Sequence, residues 1–104
     1  MSRGPDAATL LERAIVAHAA AAGVTVRIVI ATATRWASAT FSGARHALTL
    51  EGGWTAAATA WLGQLDEAEL PIRGHLVADL AVLRTEHAGD RFTATVEVLT
   101  LEER

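Results

Sequence analysis

Gly74-His75-Leu76-Val77-Ala78-Asp79-Leu80-Ala81-Val82-Leu83-Arg84-Thr85-Glu86-His87-Ala88-Gly89-Asp90-Arg91-Phe92-Thr93-Ala94-Thr95-Val96-Glu97-Val98-Leu99-Thr100-Leu101-Glu102 is the stretch that decides the fold. Its two halves, His75 to Thr85 and Arg91 to Leu101, are rich in β-branched and aliphatic residues. Between them Ala88-Gly89-Asp90 has the composition of a tight reversal, so the stretch predicts a long antiparallel hairpin. The closing Leu99-Thr100-Leu101-Glu102 repeats the residue types of Leu48-Thr49-Leu50-Glu51, fifty-one positions upstream. Laying residues 23–51 over 74–102 gives nine identities. That echo is compatible with an internal duplication of residues 7–51 onto 58–102, and equally with the self-resemblance of β-rich chains of limited composition.

Outward from the hairpin, the chain of 104 residues is long enough for one domain around a single core, so residues 1–104 are expected to form one unit. Half of the residues are hydrophobic and a fifth are charged, a composition that folds rather than remaining disordered. All nine basic residues are arginine, and lysine, asparagine, tyrosine and cysteine are absent. We read this bias as the mark of a GC-rich, bacterial genome. Without lysine there is no Schiff-base chemistry, and without cysteine there are no disulfides, thiolate nucleophiles or Cys-ligated metal centres.

A formal net charge of −3 and a pI near 5.7 supply no global attraction to nucleic acid or anionic lipid. The apolar run Ala14–Ile30 is broken by His18, Gly23 and Arg27, so no membrane segment is expected and a cytoplasmic location is.

Asp6 and Thr9 both have the chemistry to cap a first helix, which then runs through alanine-rich sequence to Ala22 and is closed by Gly23. Leu11, Ile15, His18 and Ala22 lie on one helical stripe, and His18 reads as a hydrogen-bonded histidine at the edge of the core. Val24–Thr32 predicts a strand, Arg35–Ser42 a second and His46–Glu51 a third, with Ser42-Gly43-Ala44-Arg45 as a turn. Alternatively residues 36–51 form one strand bulged at Gly43. Trp54, Ala58, Trp61 and Leu65 have helical spacing, in a second helix expected to end near Leu65, with residues 66–73, including Pro71, as a connector.

The expected fold is therefore α+β, in the order α-β-β-β-α-β-β, a mainly antiparallel sheet with both helices on one face. Alternation assigns Val26, Ile28, Ile30, Leu48, Leu50, Leu76, Ala78, Leu80, Val82, Ala94, Val96 and Val98 to the covered face. The opposite face then holds Arg27, Val29, Trp36, Thr40, Arg45, Thr49, His75, Val77, Asp79, Leu83, Thr95, Glu97, Leu99 and Leu101. It mixes charges with large apolar groups, which is the composition of an association surface.

We accordingly expect a small binding or assembly module that self-associates as a dimer through this face, with Arg27, Trp36, Arg45, Leu99 and Leu101 at the contact. The competing expectation is an enzyme or ligand-binding protein in which His75 is acid or base, Asp79 or Glu97 orients it, and Arg27 clamps an anion. His75 and Asp79, four apart on one strand, stand about 13 Å apart, too far for a direct hydrogen bond. The weight of the sequence falls on association rather than catalysis. Four histidines without HxxxH or HxH spacing, and no phosphate-binding glycine motif, call for no metal or cofactor. His46 and His87, beside expected turns, are assigned to the exposed surface.

Overall fold

The computed structural model describes residues 6–103. Helix α1 spans Ala7–Ala21, and strands β1 (Val26–Ala37) and β2 (Ser42–Gly53) follow. Helix α2 covers Ala56–Gln64 and runs into a single 3-10 turn at Leu65–Glu67, after which come β3 (His75–Ala88) and β4 (Arg91–Glu102). All neighbouring strands are antiparallel, in the order β1-β2-β4-β3. The element order is thus α-β-β-α-β-β, one strand fewer than expected within the α+β class that the sequence indicated.

The missing strand has a local cause. Nothing between Thr32 and Arg35 has turn chemistry, so the first expected strand continues without a break to Ala37 and absorbs the second. The reversal falls instead at residues 38–41. There the Ser38 hydroxyl accepts the backbone N–H of Phe41 at 3.0 Å, and the Ser38 N–H donates to the Phe41 carbonyl at 2.7 Å. Ser42–Arg45, expected to turn, is the start of β2, and neither version of the 36–51 reading survives. Gly43 is there for close approach: a Cβ on it would lie 1.9 Å from the Thr100 carbonyl oxygen of β4. By contrast, Asp6 caps α1 by accepting the Thr9 N–H at 2.9 Å, and Gly23, at φ +79°, turns the chain out of it.

Residues that pair across an antiparallel ladder share a face. Leu48 and Leu50 of β2 and Phe92, Ala94, Val96 and Val98 of β4 all point to one side, where Leu11, Ile15 and Ala19 of α1 and Ala58, Trp61 and Leu62 of α2 meet them. Trp61 Nε1 donates to His18 Nδ1 at 2.9 Å, tying the two helices together at the core edge, as expected for His18. Trp54 is not on the α2 stripe, because Thr55 is the N-cap. It stacks on His87 with ring centroids 4.6 Å apart.

Three bulges redistribute residues that strict alternation had placed. Between Ile28 and Ile30 the register slips, so Ile30 pairs with Thr49 on the uncovered side and is 59 % exposed. In β3, Leu76 pairs with Leu101 and Val77 with Thr100, and the slip between Val77 and Asp79 then returns Leu80 to the core. Leu76 therefore leaves the expected core, while Val77 packs against it. The third slip, between Val82 and Arg84, leaves Leu83 exposed. Leu48 is covered by the helices while Leu99 lies on the other face, so the Leu-Thr-Leu-Glu echo does not mark residues in equivalent surroundings.

Candidate functional site

Both helices lie on one face of the sheet, and the other face carries neither. Its composition follows from the register. One lateral row reads Trp36, Gly43, Leu101, Leu76 and the next Thr34, Arg45, Leu99, Asp79. Further along come Ala47 beside Glu97, then Ile30, Thr49, Thr95 and Arg84. Arg27 sits at the far end, where its Nη2 meets Glu51 Oε1 at 2.5 Å, with Arg91 on the same carboxylate at 3.8 Å.

Of the residues singled out from the sequence, Trp36, Arg45, Leu99 and Leu101 come together at one end of this face, with Asp79 and Glu97 on its β3 side. Leu99 stands between Arg45 and Asp79, and Glu97 is diagonal to Arg45. No ion pair joins Arg45 to either carboxylate among the described residues. Beside this apolar end the Trp36 indole Nε1 is sealed from solvent without a hydrogen-bond partner. Such a donor lacks the compensation that buried N–H groups ordinarily find.

His75 does not belong to this group. It pairs with Glu102 two residues before Val77, on the helix side of the sheet, and its Nδ1 lies 3.2 Å from the Arg73 carbonyl oxygen. The sheet itself separates it from Asp79 and Glu97. The bulge after Val77 is the reason, since it changes which side of β3 the later residues face. The imidazole–carboxylate arrangement considered from the sequence is not assembled.

On the helix side His75 shares a cavity of about 370 Å³ with His46, Arg35, Glu102 and the start of α1. His46, assigned to the surface from the sequence, is 1 % exposed. Its Nε2 lies 2.9 Å from Thr100 Oγ1, and the Thr100 hydroxyl donates to the Ala44 carbonyl at 3.4 Å. With that hydroxyl proton engaged, the bond reads as Nε2–H donating to Oγ1. Burial is the main cause that pushes the His46 pKa down, His75 adds to it, and Asp6 opposes it.

Arg35 and Glu102 face each other at 3.7 Å, so the cavity collects no single sign of charge. Among the described residues no three His, Asp or Glu side chains gather as a metal site would need. The signal that places His46 inside is parity: two and four residues before Leu48 and Leu50, it continues their face.

Among the described residues no helix is long and apolar enough to cross a membrane. No protein-family model, curated protein or solved structure matches this chain.

Proposed function

We propose that this protein is a small bacterial, cytoplasmic assembly module that self-associates as a dimer through the uncovered face of its sheet. The observation that carries this reading is the cluster of Trp36, Leu76, Leu99 and Leu101 at one end of that face, next to Arg45, Asp79 and Glu97. Exposed Leu76 and half-buried Trp36, Leu99 and Leu101, adjoining charges of both signs, suit contact with an identical surface. A two-fold axis lays Arg45 of each copy over the acidic β3 side of the other.

Size supports the same occupant. Four strands of about twelve residues make a face of about 750 Å² from ordinary strand rise and spacing, close to the roughly 800 Å² per partner of a stable interface. Packing two such faces gives an arrangement with a shared apolar layer between sheets and the helices outside.

Light scattering coupled to size exclusion tests the reading at tens of micromolar protein. The wild type is expected above the 10.9 kDa protomer mass, and Leu101→Arg, which places a charge in the apolar cluster without touching the helix-side core, is expected to lose the face contact. A wild type that stays a strict monomer removes the proposal.

A further inference from the structure

The two edges of the sheet are built differently. β3 carries two bulges and the charges Asp79, Arg84 and Glu86, the devices by which edge strands are kept from pairing. β1 has its one bulge near its start, and from Ile30 to Ala37 its register against Thr49 to Ser42 is unbroken. Every residue from Val29 to Arg35 is exposed, with Ala33 and Arg35 bordering the cavity at the start of α1. From Val29 to Thr34 it contains no charge, no proline and no glycine, only Val, Ile, Ala and Thr.

The hydrogen-bond phase tells which backbone groups stand free. Ser38 N–H donates to the Phe41 carbonyl across the hairpin, so by the alternation of an antiparallel ladder the even residues of β1 bond inward to β2. The N–H and C=O groups of Ala31, Ala33, Arg35 and Ala37 point outward. Among the described residues no strand takes them.

We infer that this edge pairs with the β1 edge of a second copy, antiparallel about a two-fold axis at Ala33, making one continuous eight-stranded sheet. Self-pairing at this register is complementary. Ile30 stands opposite Trp36 and Thr32 opposite Thr34 on the uncovered face, while Ala31 stands opposite Arg35 on the helix side. No like charges meet. The two Arg35 side chains flank the axis about 13 Å apart along the strands, and each already faces Glu102 of its own chain. Because the axis is perpendicular to the sheet, both copies keep their helices on the same side and their uncovered faces on the other.

The inference goes beyond the face-to-face contact and does not need it. Where both operate, they build stacked eight-stranded sheets, which close as a tetramer if the two axes intersect and extend into larger assemblies if they do not.

Native mass spectrometry of the full chain, with light scattering as a second readout, decides it. Ala33→Pro removes an outward N–H and leaves the β1–β2 ladder its bonds, and Ala31→Lys puts a charge on the edge if the proline variant fails to fold. With both contacts present, the wild type is expected above two protomer masses, each edge variant at two, and Leu101→Arg at two. A wild-type dimer that Ala31→Lys or Ala33→Pro converts to monomer keeps the edge pairing and removes the face contact. A folded edge variant with unchanged mass overturns the edge pairing. So does a wild type whose edge takes an added extended peptide but no second copy.

Discussion

His46 Nε2 on β2 and Thr100 Oγ1 on β4 are 2.9 Å apart, fifty-four residues apart in sequence, and both side chains are almost wholly buried. This polar pair lines the cavity at the start of α1 and ties the two central strands together by side chains as well as backbone. Thr100→Val keeps the shape of the side chain and leaves the imidazole N–H without an acceptor. The expected loss is about 1–3 kcal/mol of stability, measured by urea denaturation with an unchanged m-value.

The same histidine gives stability a pH dependence of predictable sign. Its folded pKa lies below the ordinary 6.5 because burial disfavours the charged ring, so the unfolded chain binds the extra proton more readily. Stability is therefore full above about 6.5 and falls as the pH drops from there toward the folded pKa. Equilibrium unfolding at a series of pH values, compared with His46→Gln, checks this. The substitution should flatten the slope in that window.

Gly43 is required by contact rather than by turn geometry. Gly43→Ala sets a Cβ against the Thr100 carbonyl, a backbone atom that cannot swing away, so the β2–β4 ladder must part at that point. We expect a cost of about 3 kcal/mol or more. Thermal unfolding by circular dichroism gives the shift directly, and an Ala substitution at the unhindered Gly63 serves as the control.

The helix pair is joined by the Trp61 indole N–H, which donates to His18 Nδ1 at 2.9 Å. His18→Leu removes the acceptor and strands a donor in a side chain that is only 4 % exposed, costing about 1–2 kcal/mol. His18→Gln, with an amide oxygen in reach of the same place, is expected to lose less. Tryptophan fluorescence during denaturation follows the change.

Sequence by itself determined the α+β class, the stop of α1, the end of α2 ahead of Pro71, the Gly89-Asp90 reversal and the core stripe of β4, and narrowed the cap of α1 to Asp6 or Thr9, of which the structure uses Asp6. Caps, glycines and period-two alternation are local signals with local causes. Asp6, Gly23 and the alternation of Ala94, Val96 and Val98 all behave as their neighbours in sequence dictate. What tertiary structure alone decided is which side of the sheet the later residues of β1 and β3 face. A bulge adds one residue against a partner strand, and nothing in the bulged strand's own sequence records the slip. Such displacements put His75 on the helix side and Asp79 on the other, exposed Ile30 and Leu76, and dissolved the catalytic grouping while leaving Trp36, Arg45, Leu99 and Leu101 together. Strand order, likewise, was settled by β2 and β4 burying each other at the centre, which left the unguarded β1 at an edge.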